Sequence, residues 1–282
     1  MTGHDSWGLA EGEPITAELT CLRKLGGGSA YEAILAFDHV TYSPVVVKLV
    51  RPAQVADRST LRGLRREVEM LERVRHPAVV RMLRAVTDGE RPHLVLEQLD
   101  GPRLSSLIRR YGPLEEQQYL PLAIEVASAL HYLHGQGIVH LDVKPSNIIM
   151  GAPARLIDLS VARTVEQATD LGYVVGTDRY LAPEQAEGRP VPASDVWGLG
   201  ATLFEAVAGY RAFDDSDEPH PQLTAEAFDL PARVQPDLAK VIQACLDPDP
   251  AARPAPAEVA DLLGPLLERA PRGRLAGFKV TR

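Results

Sequence analysis

Two rhythms of apolar and polar positions divide the chain. The first hundred residues read as strands with one helix. Leu19 to Leu25 runs into Gly26-Gly27-Gly28, and Tyr31 to Phe37 follows, which predicts a hairpin. Val45-Val46-Val47-Lys48-Leu49-Val50 is rich in β-branched residues and reads as a buried strand. Leu61, Leu64, Val68, Leu71 and Val74 then recur at helical spacing, and His76-Pro77 should stop that helix. Val79 to Val86 and His93 to Glu97 are two further strand-like runs. Beyond Asp100-Gly101-Pro102 the spacing becomes helical. Leu120, Ile124, Ala127, Leu130 and Leu133 form one stripe, closed by Gly135 and Gly137. Val196 to Val207, with Pro192 near its start, Pro236 to Leu246 and Pro256 to Leu267 are further helices. The expectation is an α+β chain: an extension over 1–18, a strand-rich part over 19–97, a helical part over 98–268 with the hinge near Gln98, and a tail over 269–282.

Composition narrows the classes. At 282 residues the chain is long for one core and comfortable for two lobes. A net charge of −8 disfavours a nucleic-acid partner, whose phosphates it would repel. Cys21 and Cys245 lie far apart in unlike contexts, which fits neither a disulfide framework nor a metal cluster. The N-terminus lacks the basic-then-apolar pattern of a signal peptide, and no apolar run reaches bilayer length, so no transmembrane segment and a cytoplasmic location are expected. Asp214 to Glu218 reads as an acidic surface loop. The tail, with Arg272, Arg274, Lys279 and Arg282 and no acid, reads as a loose, solvated end.

One segment carries chemistry. His140-Leu141-Asp142-Val143-Lys144-Pro145-Ser146-Asn147 sets a carboxylate, an ammonium and an amide at offsets that suit phosphoryl transfer. Asp142 can orient the proton of an attacking hydroxyl, Lys144 can neutralise charge on the moving phosphate, and Asn147 can hold a metal ion. Eleven residues on, Asp158 follows an apolar strand-like run and could ligate Mg²⁺, which prefers oxygen donors. Taken alone, the segment also reads as a solvated polar turn. The glycines at 26–28 allow backbone N–H groups to approach phosphate, though alone they read equally as a hairpin turn. Lys48 leaves an apolar strand, where an unpaired ammonium is costly, and Glu67 on the next helix is its natural partner; an exposed edge-strand lysine is the alternative.

Together these motifs resemble a eukaryotic-type Ser/Thr protein kinase of the bacterial kind, over roughly Leu19 to Leu267. The resemblance implies a two-lobed kinase-like fold, with a small β-rich N-lobe carrying one main helix and a larger helical C-lobe. It implies ATP and Mg²⁺ as cofactors and a protein substrate with a Ser or Thr acceptor, with the oligomeric state open. It assigns Leu25, Gly26, Gly27 and Gly28 to the phosphates, Lys48 with Glu67 to the α- and β-phosphates, and Leu96, Glu97 and Leu99 to the adenine. It makes Asp142 the base, Lys144 its charge-neutralising partner, Asn147 and Asp158 the metal residues, and Thr177 a bridge between Asp142 and Lys144. Glu184 should pair with Arg253, and Asp195 should hold the catalytic-loop backbone. Leu159 should stack with Leu71, Met82 and His140. Thr164, Thr169 and Thr177 are candidate autophosphorylation sites.

Besides Leu159, an apolar residue at the place of a phenylalanine, four positions depart from the family pattern. Tyr31 replaces the third glycine of the loop, and Ala33 a valine. Leu141 stands where many members have an arginine that anchors a phosphorylated activation segment, so control independent of phosphorylation is expected. Ser160 replaces the glycine of an Asp-Phe-Gly triplet. A pseudokinase that binds without turnover is therefore the alternative. A small-molecule phosphotransferase is a third class, not expected to carry Gly176 to Glu184 or Asp195-Val196-Trp197-Gly198.

Overall fold

The strand-like runs of the first region form a five-stranded antiparallel sheet. β1 (Leu19–Gly27), β2 (Tyr31–Asp38), β3 (Ser43–Val50), β4 (Met82–Val86) and β5 (His93–Glu97) are arranged in the order β1-β2-β3-β5-β4, with α1 (Arg58–Glu72) between β3 and β4 in the chain. The computed structural model describes residues 5–213 and 220–269, and the backbone at 274–275 and 278–279. The acidic loop Asp214–Glu218 and the side chains of the basic tail beyond Arg269 lie outside the described residues. The tail, expected to be loose, pairs Arg274–Leu275 with Phe278–Lys279.

The chain divides into two units, one of Met1–Arg75 with Val80–Leu99, the other of His76–Val79 with Asp100–Arg282. In the first, Ile34, Ala36, Val45, Val47 and Leu49 bury one sheet face. Their cover comes from the extension: Ile15 is buried with them, and Trp7 and Leu9 pack against the cluster. Trp7 Nε1 donates to Val50 O at 2.7 Å, which anchors the strap to the end of β3. On α1, Leu64, Glu67, Met70 and Leu71 are buried, the i, i+3, i+6, i+7 spacing of one helix face. Asp57 caps its N-terminus by accepting from Thr60 N–H at 2.7 Å. The helix ends at Glu72, ahead of the His76-Pro77 stop, because its last turn closes through short bonds from Arg73 N–H to Met70 O and from Val74 N–H to Leu71 O. The strand expected from Val79 begins only at Met82.

The second unit is helical: α2 (Leu104–Tyr111), α3 (Glu116–Gly135), α4 (Val165–Thr169), α5 (Pro183–Ala186), α6 (Pro192–Ala208), α7 (Pro236–Cys245) and α8 (Pro256–Arg269). Two small ladders interrupt it, β6 (Ile138–Val139) with β9 (Arg163–Thr164), and β7 (Ile148–Ile149) with β8 (Arg155–Leu156). α3 is buried on more than the single stripe its spacing suggested, because α6 and α8 both pack on it. α6 is buried from Ser194 to Ala208 except at Glu205. Its glycines permit this. A Cβ on Gly200 would come within 2.7 Å of Cys245 Cβ on α7, and one on Gly198 would lie 3.0 Å from Val143 Cβ and O. The central helix is thereby seated directly against the segment that carries Asp142.

Candidate active site

Asp195, in the first turn of α6, fixes the loop that follows β6. Its carboxylate accepts from the backbone N–H of His140 at 2.8 Å and of Leu141 at 2.7 Å, and lies 2.9 Å from His134 Nε2. Leu141 has a φ of 65°, an uncommon backbone state for a bulky residue, which these bonds hold in place. The strained residue directs the chain so that Asp142, Lys144 and Asn147 converge. Asn147 Nδ2 donates to Asp142 Oδ2 at 2.8 Å, and Lys144 Nζ lies 2.7 Å from the same oxygen. Thr177 Oγ1 donates to Asp142 Oδ1 at 2.7 Å, and Lys144 Nζ also donates to that hydroxyl. One carboxylate thus gathers an ammonium, an amide and a threonine hydroxyl from two stretches of chain 33 to 35 residues apart.

Asn147 and Asp158 meet through the small ladder. Ile148 pairs with Leu156, and Ile157 N–H donates to Asn147 O at 2.9 Å, so the two expected metal residues leave the same end of β7 and β8. Asp158 also has a positive φ, 68°. Its Oδ1 accepts from Ser160 N–H at 3.3 Å. Leu159 is fully buried.

The remaining activation-segment residues dock on this loop. Leu141, 2% exposed, packs with Val139 and Ala168, and Val161, Val165 and Val175 pack around them. Gln185 Nε2 donates to Leu141 O at 2.7 Å and to Val175 O at 2.8 Å. Gly176 has φ 107°, and a Cβ there would meet Leu141 O at 2.6 Å, so only glycine allows so close an approach. Thr164 caps α4, accepting from Gln167 N–H, and Thr169 Oγ1 donates to Val165 O. Glu184 and Arg253 form a two-pronged pair at 2.7 and 2.8 Å. Burial favours the protonated form of Glu184, but hydrogen bonds from Arg253 and Ser194 outweigh it, and the pKa lies below the ordinary value.

In the strand-rich unit, Lys48 Nζ donates to both oxygens of Glu67, at 2.9 and 2.7 Å, and Glu67 is 1% exposed. The alternative of a solvent-facing lysine is excluded by that geometry, since the Lys48 side chain is bound to Glu67 and only 13% exposed. In the glycine turn, Gly28 N–H donates to Tyr31 O at 3.0 Å, and a Cβ on Gly27 would strike Tyr31 O at 2.4 Å. Leu25 is exposed. Leu96 pairs with Val46 and Met82, Glu97 N–H donates to Arg81 O at 3.0 Å, and Leu99 O accepts from Gln98 Nε2 at 3.2 Å.

A family model described as the protein kinase domain matches residues 19–262. The chain belongs to the protein kinase domain family. Among its relatives, sperm motility kinase 2B of Mus musculus is 31% identical over 253 residues, covering 88% of this chain and 51% of that protein. Serine/threonine-protein kinase PkaA of Streptomyces coelicolor is 34% identical over 227 residues, 77% of this chain and 42% of the relative. Serine/threonine-protein kinase PknB of Mycobacterium leprae is 34% identical over 199 residues, 67% and 32%. The chain therefore spans about half or less of the length of the curated relatives it matches. Its kinase domain is of the eukaryotic type with bacterial Ser/Thr kinase relatives, and its fold is the two-lobed α+β fold of that family. Among the described residues, no helix is long and apolar enough to cross a membrane.

Three residues that organise this kinase domain escaped the sequence reading. Gln185 carried no signal beyond its place after Glu184. His134, next to the last residue of the helical stripe, carried no signal of its own. Tyr31 was read only as a missing glycine, although its hydroxyl donates to Thr60 O at 3.0 Å.

Proposed function

We propose that the chain is a Ser/Thr protein kinase that transfers the γ-phosphate of ATP to a Ser or Thr hydroxyl of a protein substrate. The observation that carries this reading is the convergence of Lys144, Asn147 and Thr177 on the Asp142 carboxylate. That carboxylate already accepts one threonine hydroxyl, the interaction a Ser or Thr acceptor would make as Asp142 orients its oxygen for attack. Lys144 then supplies positive charge beside that oxygen.

The donor set fits Mg²⁺. Asn147 directs Nδ2 toward Asp142, leaving its amide oxygen on the other side, and Asp158 adds a carboxylate from the adjoining ladder; both are the oxygen ligands Mg²⁺ prefers. When bound, Mg²⁺-ATP supplies the transferable phosphoryl group and the charge neutralisation of its phosphates. Lys48, held by Glu67, orients the α- and β-phosphates. Gly26, Gly27 and Gly28 cover the phosphates beneath Leu25, and Leu96, Glu97 and Leu99 read the adenine. Thr177 tethers the activation segment to the base.

Activation-segment order rests on apolar packing in this reading. Leu141 occupies the place of a phosphate-anchoring arginine, and its contacts with Val161, Val165, Val175 and Ala168 do the work a charge pair would otherwise do. Equal specific activity of as-purified and phosphatase-treated protein, within about twofold, is expected; a loss of about tenfold or more after phosphatase overturns this part.

The test of the main reading is incubation of the purified chain with Mg²⁺-ATP and a generic Ser/Thr acceptor protein, beside Asp142→Asn. Phosphate incorporation read by intact mass should occur with the wild type and fall by at least about 10²-fold in the variant. Incorporation by neither, with Mg²⁺-ATP still bound, favours a binding module without turnover.

A further inference from the structure

The third-glycine position of the phosphate loop is occupied by an aromatic residue with a defined set of contacts. Tyr31 opens β2, and its side chain lies on the same face as Ala33, which pairs directly with Lys48 on β3. The Lys48 ammonium is 4.9 Å from the centroid of the Tyr31 ring, within the range of a cation–π contact. The Tyr31 hydroxyl reaches the other way and donates to Thr60 O in the first turn of α1. Thr60, Gly63 and Glu67 follow one another at i, i+3 and i+7, so they share one face of α1. The contacts therefore close a circuit: Tyr31 to Lys48, Lys48 to Glu67, Glu67 through two helical turns to Thr60, and Thr60 back to Tyr31.

Two further features border this circuit. Gly63 is inside α1, where glycine is among the least favourable residues. A Cβ there would lie 3.4 Å from the Tyr31 hydroxyl, so the helix face at Gly63 comes close to the end of the Tyr31 side chain. The turn before Tyr31 is also fixed: Arg51 Nε donates to Gly28 O at 2.7 Å and Arg51 N–H donates to Ala30 O at 3.0 Å. The backbone that leads into Tyr31 is thus anchored at two points.

We propose that Tyr31 is a positioning residue that holds the Lys48–Glu67 pair assembled, by tying the phosphate loop to α1 through its hydroxyl and supporting the Lys48 ammonium with its ring. The proposal rests on the kinase reading, in which Lys48 meets the nucleotide phosphates. A family member with glycine here has a looser loop; this chain exchanges that freedom for a preassembled lysine. If the assembled state binds nucleotide, loss of the tether lowers the competent fraction and raises the apparent Kd in proportion, while bound nucleotide restores the assembled state and preserves turnover.

The experiment is titration of Mg²⁺-ATP into the full chain by calorimetry, for wild type, Tyr31→Phe and Tyr31→Leu, each with and without Glu67→Gln, with melting temperatures recorded and kcat measured at saturating ATP. Tyr31→Leu should weaken binding about tenfold and Tyr31→Phe, which keeps the ring, about two- to threefold, with kcat within about threefold of wild type. In the Glu67→Gln background the Tyr31→Leu effect should shrink to less than about twofold, because both changes act on one pair. An equal loss in both backgrounds, or none in either, overturns the proposal while leaving the kinase reading intact. Wild-type protein that binds no Mg²⁺-ATP overturns the kinase reading and this one with it. If Tyr31→Leu does not fold, Tyr31→Phe in the two backgrounds carries the same comparison.

Discussion

Lys48–Glu67 in the strand-rich unit and Glu184–Arg253 in the helical unit are both cation–carboxylate pairs shielded from water, but their cations differ. Arg253 presents a planar fork with no exposed side-chain surface. Each of its five N–H groups has an acceptor: both oxygens of Glu184, and the backbone oxygens of Ala193, Asp247 and Pro248. Its guanidinium also lies 5.1 Å from the Trp197 ring. Such a group is saturated and immobile. Lys48 carries a compact ammonium on a flexible stem, and its side chain is 13% exposed. It has the geometry of a charge that can turn toward a phosphate while keeping hold of a carboxylate. The same pairing of formal charges therefore serves a joint in one place and, in the proposed mechanism, a working part in the other.

Breaking the joint should give the largest effect. Arg253→Ala leaves the Glu184 carboxylate, only 12% exposed, without its partner and removes a fully buried guanidinium, which costs about 3–5 kcal/mol. Thermal unfolding should shift down by roughly 10 °C, with specific activity of the remaining folded protein retained at low temperature. Arg253→Lys should recover little of the loss, since an ammonium cannot make the fork. The working pair should show the reverse. Glu67→Gln keeps the shape of the side chain but removes the charge that steers Lys48. Phosphoryl transfer should fall about 10²-fold, for a melting temperature lowered by only a few degrees. If Glu67→Gln melted as early as Arg253→Ala and retained turnover, the contrast between the two pairs would be wrong.

The contrast also explains what could be read from the sequence. Lys48, Glu67, Asp142, Asn147 and Asp158 carry charge or amide chemistry at fixed offsets, so their pairing follows from residue type and spacing. The sheet was legible because the β-branched run Val45–Val50 and the glycine turn between two apolar runs are local signals. Residues 5–18 were not: Trp7, Leu9 and Ile15 have no common period, and they cover the sheet only because Trp7 reaches Val50, 43 residues away. Leu141 was read as an absent charge. Its apolar partners Val161, Val165 and Val175 are spread across an irregular segment, where no repeat marks them as one cluster. Tyr31 likewise reads as an absence, since its contact with Thr60 spans 29 residues. Substitutions at motif positions are easily scored as losses, whereas here each brings a contact that only the folded chain reveals.

Acid pH offers the smallest and most selective probe of the joint. The folded pKa of Glu184 is lowered: burial opposes ionisation, but Arg253 and Ser194 bond to the charged form more strongly than burial resists it. A group with a depressed folded pKa contributes stability that is fully present above its unfolded value, about 4.5, and is lost as pH falls through the folded value. Protonated Glu184 resembles glutamine. The stability difference between wild type and Glu184→Gln, measured by urea unfolding, should therefore be constant from pH 7 to about pH 5 and narrow as pH falls below about 4.5. Subtracting the variant removes the parallel contribution of Asp38, whose carboxylate is held below its ordinary range by hydrogen bonds from Arg84 that outweigh its burial. A difference that widened on acidification would mean that burial, not Arg253, controls the carboxylate, and the pair would then be no joint at all.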